Sequence, residues 1–189
     1  MQDYRNQTAL LVMDVQNGIV ARFAQTGTVL LPFQKAVQAA RQHTIGVIFV
    51  RVAFRQGYPE VSPRNKSFSA LAGLSNMTAA DEATQIHQSL APQSDEPIVT
   101  KRRVSAFAGS DLAILLRSRQ INRLVLCGIA TSGVVLSTVR EAADRDFALT
   151  VLADACLDAD PEVHRILTEK VFPRQADVLT VDDWIGTLD

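Results

Sequence analysis

Short, almost wholly apolar runs alternate along the chain with amphipathic stretches of about a dozen residues, a pattern that separates strands from helices. The apolar runs fall at 8–15, 46–53, 97–100, 123–129, 148–153 and 176–181. Because they are continuous rather than alternating, they predict strands buried on both faces, as in a parallel sheet covered by helices. Helical spacing recurs at 32–43, 78–90, 110–119, 132–145 and 161–172, with a short closing turn near 182–188. Strands alternating with helices define βαβ units. The fold class expected is therefore α/β, a three-layer α/β/α sandwich around a mainly parallel six-stranded sheet, with residues 1–189 forming a single domain. Two helix starts are marked: Ser110 with Asp111 reads as an N-cap, and Asp160 places a capping carboxylate just before Pro161. The stretch 54–77 is far longer than an ordinary βα connection. Its Phe54, Tyr58, Phe68, Leu71 and Leu74 are too apolar for disorder, so it is expected to be an ordered lid or a subunit contact.

Composition narrows the function. With 189 residues, 47% hydrophobic and 21% charged, the chain has the balance of an ordinary globular domain. The 19 basic and 20 acidic side chains leave a net charge of −1, so there is no general attraction for nucleic acid or for anionic membranes. Neither is an expected partner; a small-molecule substrate is. The opening MQDYRNQTAL lacks the basic-then-apolar pattern of a secretory signal, and no apolar stretch approaches the ~20 residues of a membrane span, so a cytoplasmic location is expected. The two cysteines, Cys127 and Cys156, lie in apolar surroundings with no second pair at metal-ligand spacing, which excludes a zinc ribbon and a disulfide scaffold.

In an open parallel sheet, ligands bind beyond the carboxyl ends of the strands. The first apolar run ends in Asp14, where an ionised carboxylate is costly unless paired; a lysine or arginine must be near, or Asp14 keeps its proton. The third runs into Lys101, Arg102 and Arg103, and the second is followed by Arg51, Arg55, Arg64 and Lys66, so seven of the 19 basic residues gather in two segments. That clustering points to an anionic ligand, a carboxylate. The fourth run passes through Gly128 into a small polar turn and a helix starting near Ser132, whose backbone N–H groups can hold an anion or an oxyanion. The sequence contains no GxGxxG, GxxxxGK[ST] or GxSxG, which removes support for the common nucleotide sites and for α/β-hydrolase chemistry. His43, His87 and His164 all fall in expected helices away from the strand ends and read as surface residues, leaving a Ser-His-Asp triad without parts. Both cysteines read as structural.

Asp14 in DVQNGI, Lys101 in VTKRRVSAF with Gly109 and Ser110, and LVLCGIATSGVVLSTVREAADRD together resemble the isochorismatase-like (cysteine hydrolase) family, which also contains nicotinamidases. The matching family patterns are DxQxxF and GxATDxCVxxTAxDA, and the likeness covers nearly the whole chain. The resemblance implies a Rossmann-type sheet between helices, with Asp14 and Lys101 as the catalytic pair. It further implies an oxyanion pocket from the backbone at Ile129, Ala130 and Val134, a cis peptide between Ile129 and Ala130, and a homo-oligomer. Gln16, Arg51, Arg55, Thr131 and Ser132 are the candidates for substrate contact.

Two departures shape the expectation. The position at which the family's amidases carry their nucleophilic cysteine is Val134. The metal motif Asp-x-His of nicotinamidases is missing from VRVAFRQGYPEVSPRNKSF, so neither a catalytic metal, a cofactor nor nicotinamidase activity is expected. True isochorismatases also lack the cysteine, and in them the aspartic acid is thought to protonate a vinyl ether with the lysine assisting. The reading is thus a hydrolase of a small carboxylate-bearing substrate acting through Asp14 and Lys101. The alternatives are a catalytically silent binding or interaction protein on the same fold, or an amide or ester hydrolase using Thr131, Ser132 or Ser137, for which Asp14 is the available base.

Overall fold

Residue alternation along the first strand already dictates two helical layers. In β1 (Thr8–Met13), Ala9, Leu11 and Met13 point into one apolar cluster while Leu10 and Val12 point into another, so both faces need a cover. In the computed structural model, which describes residues 5–23, 28–72 and 76–188, each face receives one. The sheet continues with β2 (Gly46–Val52), β3 (Ile98–Lys101), β4 (Arg123–Ile129), β5 (Ala148–Leu157) and β6 (Asp177–Leu179). Its order is β3-β2-β1-β4-β5-β6, and every neighbouring pair is parallel. The helices are α1 (Asn17–Val20), α2 (Leu31–Gln42), α3 (Lys66–Ala72), α4 (Leu112–Ser118), α5 (Leu136–Ala143), α6 (Pro161–Ile166) and α7 (Val181–Gly186). Phe33, Ala36, Val37 and Ala40 of α2 and Trp184 of α7 cover the face of Leu10 and Val12; Leu112 and Leu116 of α4 and Val139 of α5 cover the other. This is the expected α/β sandwich. The strand order reverses direction between β1 and β4, and the crevice past their carboxyl ends is where a doubly wound sheet binds its ligand.

The centre of the sheet is unusually close. Gly128 of β4 lies in register with Met13 of β1, and a Cβ there would stand 2.6 Å from the Met13 carbonyl oxygen and 2.9 Å from the Met13 Cβ. Just beyond, the peptide joining Ile129 to Ala130 is cis.

Several expectations are corrected. Residues 78–90 form no continuous helix but a strap with tight turns at Glu82–Thr84 and Gln88–Leu90. Short polar side chains compete there for the backbone bonds a helix would need. Asp81 Oδ2 accepts from the Thr78 N–H and hydroxyl, and the Thr84 hydroxyl donates to the Thr78 carbonyl. The strap is stitched to the segment after β1: the N–H of His87 donates to Val15 and that of Asn17 to Gln85. β5 extends to residue 157 instead of 153, because a bulge opposite Leu126 and Gly128 lets it resume pairing at Cys156. The helix expected over 161–172 ends at Ile166; a wider turn, Leu167–Val171, and a tight one, Phe172–Arg174, carry the chain past Pro173, which cannot continue a helix. The helix expected over 132–145 opens as a wide turn at Thr131–Val135 and becomes regular at Leu136.

The Asp160 carboxylate caps α6 by accepting from the N–H groups of Glu162 and Val163. At α4 it is the Ser110 hydroxyl, not Asp111, that accepts from Leu112 N, at 3.3 Å. Within 54–77 the chain forms α3, and Phe54, Phe68 and Met77 make a small cluster of their own, with Tyr58 packed on it. Leu74 and the side chain of Leu71 lie outside the described residues. Among the described residues no helix is long and apolar enough to cross a membrane.

Candidate active site

Asp14 leaves β1 in a left-handed conformation, φ 58°, held by its N–H on the Val50 carbonyl at 2.8 Å. That turn puts its carboxylate within reach of a lysine from two strands away. Lys101, the last residue of β3, brings Nζ to 2.9 Å from Asp14 Oδ2, and the two side chains are only 2% and 7% exposed. Nζ also donates to the Arg103 carbonyl at 3.0 Å. Asp14 Oδ1 is buried with no hydrogen-bond partner among the described residues. Burial pushes the Asp14 carboxyl above its ordinary range, and the charge and hydrogen bond of Lys101 pull it back only in part. A carboxyl group in that balance holds a proton to higher pH than a free one, which suits a general acid.

Opposite lies the turn after β4. Gly133 and Val135 both donate their N–H groups to the Ala130 carbonyl, which folds 131–135 back on itself. Val134 is 2% exposed and belongs to the same apolar cluster as Met13 and Val135. The turn is braced from outside. Thr131 Oγ1 sits 2.8 Å from His164 Nδ1, and the Ser132 N–H donates to Asp158 Oδ2 at 2.7 Å. Burial alone would push the Asp158 carboxyl up, but hydrogen bonds from Ser132 and from the backbone at Asp160 and Ala159 hold it below the usual carboxylate range.

His164 and Asp158 were not among the sequence candidates. His164, expected at the surface, is half-buried and meets the turn, because α6 packs beside it; no spacing within the sequence announces that contact.

The five candidates for substrate contact divide. The Gln16 amide, expected to face substrate, instead donates to the Val52 and Thr84 carbonyls and accepts from the Val52 N–H, and with Gln16 1% exposed it ties the strap to β2. Thr131 and Ser132 are engaged by His164 and Asp158. The Arg51 guanidinium donates to Thr100 Oγ1 and Gln85 Oε1, Arg55 joins Arg102 and Arg103 around a cavity past the end of β3, and Arg64 and Lys66 are exposed. Among the described residues no group of three His, Cys, Asp or Glu side chains is placed to hold a metal ion.

Neither thiol has a hydrogen bond or ion pair to Asp14 or Lys101 among the described residues. Cys127 and Cys156 are buried; burial first, then nearby acidic groups, pushes the Cys127 thiol up, and burial takes Cys156 to about 12. Iodoacetamide at pH 8 is therefore expected to leave both unmodified in the folded protein and to alkylate both in denaturant, as intact mass will show. Rapid alkylation of the native chain with loss of activity would contradict a structural role for them.

A doubly wound parallel sheet with a buried acid–lysine pair at its switch point, beside a braced backbone turn, has the make-up of an enzyme of the α/β class. The particular family follows from comparison: the isochorismatase domain model matches residues 8–183, and the chain belongs to the isochorismatase family of hydrolases. It is 35% identical to an uncharacterized isochorismatase family protein of Bacillus subtilis, YwoC, over 95% of this chain and 93% of that one. It is 31% identical to the ureidoacrylate amidohydrolase RutB of Pseudomonas syringae pv. syringae, over 97% of this chain and 81% of RutB. Among solved structures, a cysteine hydrolase from Pseudomonas syringae pv. phaseolicola superposes with a TM-score of 0.86 at 25% identity, covering 97% of this chain and 93% of that one. An isochorismatase family protein from Burkholderia thailandensis gives 0.78 at 28% identity, covering 97% and 96%.

Proposed function

We propose that this isochorismatase-family hydrolase cleaves a small carboxylate-bearing substrate without a covalent intermediate, with Asp14 as general acid and Lys101 as its electrostatic partner. The observation that carries the reading is the Oδ1 of Asp14, buried with no hydrogen-bond partner among the described residues, together with a buried Val134 that offers no nucleophile. Hydrolysis of a vinyl ether fits these groups best. The Asp14 proton forms a new C–H bond at the alkene terminus, leaving an oxocarbenium ion and a carboxylate that Lys101 steadies. Water adds to the cationic carbon, the adduct expels the alcohol to leave a carbonyl, and Asp14 recovers its proton, so one water is consumed overall. The backbone at Ala130 and Val134 meets the carbonyl oxygen that forms as the adduct collapses, not the cationic oxygen of the first step, and Arg51 supplies attraction for the carboxylate. A cytoplasmic homo-oligomer goes with this reading.

The test is turnover of isochorismate beside a panel of enol ethers, amides and esters. An enol ether should be hydrolysed, and Asp14→Asn should reduce its turnover about 10³-fold, the scale of a lost general acid. Turnover unchanged in Asp14→Asn would remove Asp14 from the mechanism. No turnover of any compound, with binding intact, would favour a silent binding protein. The Thr131–His164 contact favours one second reading, a threonine nucleophile with His164 as its base. Under that reading amides or esters are the substrates and Thr131→Val is inactive; under the first, Thr131→Val keeps most of the enol ether activity.

A further inference from the structure

Beside the Lys101 segment lies a second arrangement that the acid–lysine pair does not use. A cavity of about 420 Å³ is lined by Arg55, Glu60, Arg102, Arg103 and Gly109, and neither Asp14 nor Lys101 lines it. Two guanidinium groups hold the one carboxylate, and a third is held by backbone carbonyls. Glu60 Oε1 accepts from Arg55 Nη1 at 2.5 Å and from Arg102 Nε at 3.3 Å. Arg103 is pinned by the Arg102 and Glu60 carbonyls, at 2.7 and 2.9 Å, with its guanidinium 5.9 Å from the centre of the Phe68 ring. Arg102 Nη1 leans on the Thr100 and Lys101 carbonyls. Among the described residues this leaves Arg55 Nε and Nη2, and Arg102 Nη2, without an acceptor.

The backbone is cut to fit as well. Gly109 adopts φ +72°, and a Cβ there would stand 2.9 Å from the Arg102 Cβ, so only glycine lets this wall approach the arginine. A single glutamate leaves the lining two positive charges in excess, and a planar guanidinium presents two parallel donors to a carboxylate or a phosphate.

We infer that this cavity is a binding site for a small oxyanion ligand, a carboxylate or phosphate group received by Arg55 and Arg102 with Gly109 as its floor. It is distinct from the chemistry assigned to Asp14, and it stands or falls without it. Calorimetric titration with succinate and with inorganic phosphate, at matched ionic strength, tests it on the full chain. Saturable binding of at least one is expected at about millimolar concentration. Arg55→Gln, at a largely exposed side chain that folding does not need, should weaken binding about 10-fold, and Arg102→Gln at least as much, as expected for a lost charge-assisted fork. Arg55→Lys keeps the charge but loses the fork and should fall between. Asp14→Asn, and Arg165→Gln on the distant α6, should bind as the wild type does. Binding of succinate alone makes the ligand group a carboxylate; binding of both makes it any oxyanion. No saturable binding of either below about 50 mM overturns the site, as does an equal loss in Arg165→Gln, which would reveal only general attraction to a basic surface.

Discussion

Lys101→Met is expected to lower stability by about 3 kcal/mol at neutral pH, the scale on which removing one partner of a buried ion pair acts. Asp14 would then carry its charge in a site 7% exposed with no cation 2.9 Å away. Acid should relieve the loss. The Asp14 carboxyl is raised above its ordinary 3.8, so the folded chain keeps this proton where the unfolded chain has already lost it. The stability that this contributes is fully present below 3.8 and is lost as pH rises through the raised value. Removing Lys101 removes both influences that lower the group, so in the variant the window reaches further up, and the deficit against wild type shrinks on acidification. Denaturant melts across that range will show it. Asp14→Asn combined with Lys101→Met should be more stable at neutral pH than Lys101→Met alone, since no buried charge then lacks a partner. A deficit independent of pH, with no rescue in the double variant, would mean that lost packing rather than charge governs the site.

Gly128→Ala should cost about 3 kcal/mol, the upper end of ordinary overpacking. The added methyl would meet backbone, the Met13 carbonyl at 2.6 Å, and no rotamer change can move it away. Relief requires β1 and β4 to part, and Asp14 directly follows Met13, so activity should fall with stability. Gly46→Ala is the control: nothing lies within 4 Å of its added Cβ, and its stability should be unchanged to within about 0.5 kcal/mol. Equal effects at the two positions would show that glycine content, not close approach, is what matters.

What could be read from the sequence follows the range of the forces involved. β4 was expected at 123–129 and found at Arg123–Ile129, because RLVLCGI is an unbroken apolar run whose limits depend on no partner. The extra length of β5 depends on a bulge across the sheet, and the strap over 78–90 depends on Thr78, Asp81 and Thr84 choosing local bonds; neither has a period to read. Asp14 stood out as a carboxylate ending an apolar run, and Lys101 as a cation leaving one. That they meet required the order β3-β2-β1, which hydrophobicity alone does not encode. The partners of Gln16 and His164 were illegible for one reason: they lie across the fold, on Val52 and Thr84 and on Thr131, and no spacing in the sequence marks them.

The sheet order also bears on how the chain is made. During synthesis from the N-terminus, β1, β2 and β3 emerge before any other strand, and once Lys101 is out the Asp14–Lys101 pair can close. The flank of β1 destined for β4 waits until Arg123–Ile129 has been translated, with Thr8 at last opposite Arg123. A nascent half-sheet therefore presents an open, doubly apolar edge from the translation of Lys101 until that of Ile129, and aggregation during expression is expected to begin at that edge.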